Sequence, residues 1–221
     1  DYVRFTINGD QNFQTQLVAP GSIIQGIKGN IPSKLSIISA KIDFTKRYKE
    51  FVLETGLKTA FNKTDNLAEY FYTNLNNVWE PDLSRSNNFL YNESISAAYA
   101  SIDAEKNKWH WQAGLRYEFT AFKKNYSSLF PTAFISYQAD SNNTITFRLG
   151  RRIDRPPFQF LNPFLTTLNK YTFEGGNPYI NPQYTWNFAI AHTYRQILSS
   201  EVSYSYLKDY FSQIFIIDSN S

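Results

Sequence analysis

The sequence contains neither cysteine nor methionine. Without thiols, a disulfide framework and a thiolate metal site are both excluded. With no methionine, no signal peptide, and Asp1-Tyr2-Val3-Arg4-Phe5 already reading as strand, the polypeptide is expected to begin elsewhere. Long apolar runs are missing too. No stretch approaches the ~20 apolar residues of a spanning helix, and the mean hydropathy is polar at −0.44. Charge of one sign is also scarce: 22 Lys and Arg face 19 Asp and Glu, a net charge of +3. No basic block is long enough to follow a phosphate backbone, so nucleic acid is not an expected partner. The only histidines, His110 and His192, fall on different strands and opposite faces. No metal-ligand spacing, nucleophile elbow, phosphate loop or paired-carboxylate arrangement appears. The expectation is no enzyme and no cofactor, with His110 an ordinary polar residue.

What the sequence has instead is rings: 19 Phe, 16 Tyr and 4 Trp. Many aromatics, ordinary charge and no spanning helix fit a barrel that is apolar outside and wet inside. A soluble sandwich shares those totals, so periodicity must decide. From residue 109 to 120, Trp109, Trp111, Ala113, Leu115, Tyr117 and Phe119 alternate with His110, Gln112, Gly114, Arg116, Glu118 and Thr120. Successive strand side chains point to opposite faces, so one face is apolar and the other polar. The apolar face is ordered along its length, with indoles at one end, Ala113 and Leu115 in the middle, and Tyr117 and Phe119 at the other. Aromatic rings favour both membrane interfaces, and this order matches a pair of girdles.

Other segments repeat the pattern. Ile38, Ala40, Ile42 and Phe44 form one apolar set, and Phe51, Leu53, Leu57 and Phe61 another. Ile95, Ala97 and Tyr99 are read as apolar against Ser94, Ser96 and Ala98. Further sets are Ala133, Ile135 and Tyr137; Ile145, Phe147 and Leu149; Trp186, Phe188, Ile190 and Tyr194; and Val202, Tyr204 and Tyr206. Short turns are expected at 45–49, 104–107, 140–142 and 196–199. Longer links are expected at 9–33, 63–92, 123–127 and 154–183. Short and long alternate, as the tight periplasmic turns and long extracellular loops of outer-membrane barrels do. The count is roughly nine strands of about ten or more residues, each enough to cross a bilayer. The chain stops on the polar residues Asp218-Ser219-Asn220-Ser221, and an open sheet edge is untenable in hydrocarbon. An incomplete barrel is therefore expected.

One segment adds a motif: Arg151-Arg152-Ile153-Asp154-Arg155-Pro156, then Leu161-Asn162-Pro163-Phe164, then Tyr171 and Glu174-Gly175-Gly176-Asn177-Pro178, ending at Pro182-Gln183. Together with Trp111–Glu118 and Ser203-Tyr204-Ser205-Tyr206, it resembles the outer-membrane-protein β-barrel family allied to TonB-dependent receptors. The resemblance covers most of the chain from about Ser33 onward. It implies an integral outer-membrane, all-antiparallel barrel of about twenty-two strands, with residues 1–221 a part of that one domain. It further implies an N-terminal plug absent from this sequence, and uptake of a scarce nutrient (siderophore, glycan or peptide) driven through a TonB-type energy-coupling partner. A surface lipoprotein is a further possible partner. The alternatives are a non-transporting scaffold and a passive pore.

Read physically, Pro156 and Pro157 cannot donate to a ladder and should end a strand at the rim. Gly175-Gly176 permits a tight turn, and Asn177-Pro178 sets an extended re-entry. A structural corner is favoured here over direct ligand contact. Arg152 and Asp154 share the lumen parity and are candidates to pair, whereas Arg151 is placed on the lipid parity with its head at the rim. Arg116, Glu118, Arg148 and Arg152 are the lumen candidates for substrate or plug contact. Trp109, Trp111, Leu115, Tyr117, Phe119, Trp186 and Phe188 are the lipid-facing set. The aromatic stretches 158–164 and 70–79 suit a sugar or peptide, but packing of loop on loop is the favoured role. One departure stands out: where the family commonly has Glu, this chain has Gln183 and Ala189, which puts plug anchoring at this place in doubt.

Overall fold

The computed structural model describes residues 1–16, 24–74, 76, 78–122, 125–169 and 172–216. Expectations attached to Lys123, Tyr171, the middle of the 9–33 link and the closing residues from Ile217 lie outside the described residues. The strands are β1 (Tyr2–Ile7), β2 (Asp10–Gln16), β3 (Ile24–Asn30), β4 (Ser33–Arg47), β5 (Val52–Thr73), β6 (Trp79–Pro81) and β7 (Asn87–Lys106). They continue with β8 (Trp109–Ala121), β9 (Tyr126–Gln138), β10 (Asn143–Asp154), β11 (Thr166–Asn169), β12 (Thr172–Glu174), β13 (Gln183–Tyr194) and β14 (Leu198–Lys208). One short helix, α1 (Phe158–Leu161), precedes β11.

Nine of these strands form one antiparallel path, β1-β4-β5-β7-β8-β9-β10-β13-β14, each paired with the next along the path. Among the described residues β1 and β14 do not pair, and the sheet is open. The remaining strands belong to the links. The first long link is a β2–β3 hairpin whose second strand pairs with β5. The 63–92 link is much shorter than expected, because β5 runs 22 residues and β7 runs 20. At about 3.4 Å per residue β5 spans roughly 75 Å, more than a bilayer needs, so its second half rises beyond the sheet's common height. There it carries β3 and β6, and buries Tyr70 and Ala68.

The short turns sit one to a few residues from their expected places, and long links follow β1, β5 and β10 as expected. The link after β8 is corrected, since its four residues, 122–125, make it no longer than the turns after β4 and β9. The β7–β8 turn is Asn107-Lys108, with Asn107 at φ 56°, a left-handed conformation that asparagine tolerates.

Pairing fixes the faces. Trp109, Trp111, Ala113 and Leu115 stand opposite Tyr137, Ile135, Ala133 and Pro131 of β9. Ile145, Phe147 and Leu149 of β10 continue that face, as do Ile190, Phe188 and Trp186 of β13. From Trp109 to Phe119 is ten residues, about 34 Å of strand and about 26 Å of depth at the usual tilt, close to the ~25 Å apolar band of outer-membrane barrels.

The reading of β7 is corrected. Tyr99 stands opposite Arg116 and Gly56, and Ala97 opposite Glu118 and Lys58. Ile95, Ala97 and Tyr99 therefore belong to the polar face. The apolar face of β7 is built from Ser96, Ala98, Ala100 and Ile102, set between Thr59, Leu57, Thr55 and Leu53 on one side and Phe119, Tyr117, Leu115 and Ala113 on the other. Both parities of β7 mix small and apolar residues, so alternation alone has little to choose between. Tyr99 resolves it. Its ring lies where a side chain at position 56 would be, so a Cβ on Gly56 would come within 2.5 Å of the ring carbon Cζ. Its hydroxyl donates to Asp43, which is also ion-paired with Lys41 at 2.7 Å. A phenol so placed is satisfied on the wet face; turned outward it would leave Asp43 without that donor.

Candidate functional site

The polar face is most developed at its long-loop end, under residues 155–182. Once β10 ends at Asp154, Pro156 removes a ladder donor and the chain turns in over the polar face. Arg155 is the first residue past the strand, and its guanidinium is held by four groups of the wall. It is ion-paired with Glu118, donates from Nη2 to Thr120 Oγ1 at 3.0 Å and from Nε to Tyr126 Oη at 3.2 Å, and lies 3.4 Å from Glu93 Oε1. Arg116 takes the other oxygen of Glu118. Asn62 Nδ2 donates to Glu93 Oε2 at 3.1 Å. Two guanidinium groups thus offset two carboxylates. The side chains of Glu118 and Glu93 are only 1% and 7% exposed, and that of Arg155 21%. Groups this deep must be paired, because an ion stripped of water without a partner is costly.

Above the ions lies an apolar layer. Leu161 of α1 packs with Phe89 and Tyr91 of β7, joined by Phe122, Phe158 and Ile180. Two separate pieces of the sequence motif close over it. Gly176 N–H donates to Asn162 O at 2.7 Å and Asn177 N–H to Phe160 O at 2.7 Å. Asn162 Oδ1 accepts from Phe164 N–H at 3.1 Å, and Asn177 Oδ1 from Tyr179 N–H at 2.9 Å. These are local side-chain turns of the kind asparagine favours. Gly176 has a steric reason to be glycine: a Cβ there would sit 2.3 Å from Phe160 O, a backbone atom that cannot swing aside. Gly176→Ala is expected to cost about 1–3 kcal/mol by forcing the two segments apart, read as a lower urea midpoint and faster proteolysis within 155–182. Unchanged protection of that loop would rule out the interlock.

Between this folded loop, the base of the β2–β3 hairpin and β5 is a cleft of about 310 Å³. Its lining includes the amides Gln11, Asn66, Gln159 and Asn162, the rings Phe158 and Phe164, and one charge, Glu174. Gln11 Oε1 is buried and accepts no hydrogen bond among the described residues. An amide-rich, ring-flanked cleft suits a polar ligand that brings hydroxyl or N–H donors.

The lumen candidates fall in three places. Arg116 and Glu118 meet Arg155 in the buried cluster. Arg148 of β10 is ion-paired with Glu201 of β14, two strands along on the same face. Arg152 and Asp154 are exposed, and no ion pair joins them among the described residues, so the expected pairing is corrected. Both side chains reach water separately at the strand end. Arg151 lies on the apolar parity but turns its guanidinium over Tyr184 (4.6 Å) and Trp186 (5.8 Å), with Nη1 donating to Leu129 O at 2.8 Å. In the rest of the motif, Pro156, Leu161 and Asn162 are buried, while Pro163, Phe164 and Gly175 are exposed and Pro178 and Pro182 half-buried. Sequence reasoning missed Glu93, Thr120 and Tyr126. Placing β7 on its proper parity would have put Glu93 on the face of Glu118. His110 contacts Asp103 at 3.1 Å, and no group of three or more potential metal ligands occurs among the described residues.

Comparison with known proteins agrees with this architecture. The model of the outer membrane protein beta-barrel family matches residues 1–221. Among solved structures, the copper transporter OprC is similar at a TM-score of 0.50 and 13% identity, over 91% of this chain and 34% of that one. The ferric citrate transporter FecA in its unliganded form gives 0.45 and 10%, over 91% and 31%. The chain thus spans about a third of the length of each. No curated protein matches.

Proposed function

The chain belongs to the outer membrane protein beta-barrel family, and from that premise we propose that its barrel serves energy-coupled uptake of a scarce nutrient (a siderophore, glycan or peptide) rather than catalysis. Its place is the outer membrane, with the apolar face in lipid and the polar face inward. The observation that carries the uptake reading is the loop 155–182. It folds over the inner wall, tied there by Arg155 to Glu118 and Glu93, and leaves a ligand-sized cleft at the long-loop end. A passive pore gains nothing from a buried, charge-paired loop across its wall. A receptor needs a shaped mouth where polar groups are pre-set for a ligand. In this reading the short turns face the periplasm, where a TonB-type partner acts through a plug, and the barrel closes with about twenty-two strands.

Planar-bilayer recording on the full-length protein tests the proposal. A plugged receptor stays closed to potassium chloride at rest, and cross-linking in cells captures the inner-membrane energy-coupling protein. Steady conductance would favour a pore, and a closed barrel that never meets the coupling protein would favour a scaffold; either sinks the uptake reading.

A further inference from the structure

We propose that the outer face carries a binding site for an anionic phospholipid at the short-turn end of β7, β8 and β9. The Lys106 ammonium holds the lipid phosphate, and an acyl chain follows Trp109, Trp111 and Ile135. The proposal rests on membership of an outer-membrane family and is independent of whether the protein transports anything.

The turn builds the site. With Asn107 left-handed, β7 reverses into β8 in two residues, and Lys106 stands directly opposite Trp109. Lys106 is thereby the last residue of β7 on the apolar face, at the level where indole rings meet water. Trp109 forms one wall, its ring tilted against that of Tyr137 with centroids 4.4 Å apart. A groove of about 380 Å³ runs between Lys106, Asn107, Trp109, Trp111 and Ile135. The next row toward mid-sheet is Ile102, Ala113 and Ala133, whose two alanines keep the surface low where a chain would continue. Three strands lie between β8 and either end of the sheet path, so the groove does not depend on what adjoins β1 or β14.

Charge selects the headgroup. Lys106 is 73% exposed, and its nearest carboxylate, Glu50 at 3.9 Å, is equally exposed. An exposed pair of this geometry holds its lysine weakly, so the ammonium remains available to phosphate oxygens. Neighbouring Lys108 is already committed, donating to Ala139 O at 2.6 Å. Lys46, on the same face and rim by register, lies over the Tyr48 ring at 5.0 Å. A lysine stem along apolar surface with its head at the interface, flanked by tryptophans, is the arrangement that meets a phosphate layer.

The test uses the full-length protein with Trp79, Trp186 and every tryptophan outside residues 1–221 replaced by phenylalanine, so that Trp109 and Trp111 alone carry the emission. It is folded into phosphatidylcholine vesicles containing a minor fraction of phosphatidylglycerol with brominated acyl chains. Tryptophan quenching should exceed that set by the bulk fraction of brominated lipid by up to about fivefold, the factor one interfacial lysine supplies. Lys106→Gln should return quenching to the bulk value, whereas Glu50→Gln should keep or raise the excess. Heat-modifiable migration confirms that each variant is folded. Quenching that tracks bulk composition in the Lys106 protein, or an excess that survives Lys106→Gln, overturns the proposal.

Discussion

Leu115→Arg should destabilise the folded barrel by about 2–4 kcal/mol, the cost of an arginine at mid-bilayer on a lipid-facing strand. Leu115 lies midway between the rings of Trp109 and Phe119, and its cross-strand neighbours are Ala100 and Pro131. None of these offers a polar partner, and neither interface is close enough for the guanidinium to reach water cheaply. Gln112→Arg is the matched control, three residues away on the other parity. Its partners are Asp103 and Phe134, so a new cation there meets water and a carboxylate and should cost little. Urea titration of the full-length protein folded into lipid vesicles measures both. Equal losses from the two variants would falsify the assignment of faces.

Glu118→Ala should cost up to about 3–5 kcal/mol, because it removes the carboxylate that Arg155 and Arg116 share and leaves the mostly buried Arg155 guanidinium with Glu93, at 3.4 Å, as its remaining anion. The damage should be local as well as global. With the ion pair to β8 gone, Arg155 is held less firmly, and limited proteolysis should cut the loop 155–182 before the strands unfold. Arg155→Met should open the same loop at a smaller cost in stability, since Glu118 keeps Arg116 and Glu93 keeps the amide of Asn62. If proteolysis of the loop is unchanged in both variants, the Arg155 latch plays no part in holding it.

Much of the architecture was legible because the membrane imposes a rule each residue obeys locally. A strand between lipid and water must alternate, and β8 does so over its whole length, with aromatics sorted to its ends. The short turns were equally local, since a two-residue turn is bounded by the strands on either side. The site was less legible. The motif glycines and asparagines read as a corner, and the structure adds how two pieces of that corner bond to each other: Gly176 to Asn162 and Asn177 to Phe160. Nothing in the spacing indicated that Arg155 would be the residue brought inward while Arg152, three residues earlier, stayed exposed.

By itself, then, the sequence determined a two-faced antiparallel sheet, which residues of β8 form its apolar face, and the family to which the chain belongs. Period-two alternation is written residue by residue and needs no distant partner. Tertiary structure decided the face of β7, the height of β5 and β7, and the inward fold of 155–182. In β7 both parities are plausible until Leu57 and Tyr117 flank Ala98 from either side. The buried cluster joins residues 37 positions apart, Arg155 and Glu118. Such a pairing depends on strand register, and register is a property of neighbouring strands in contact.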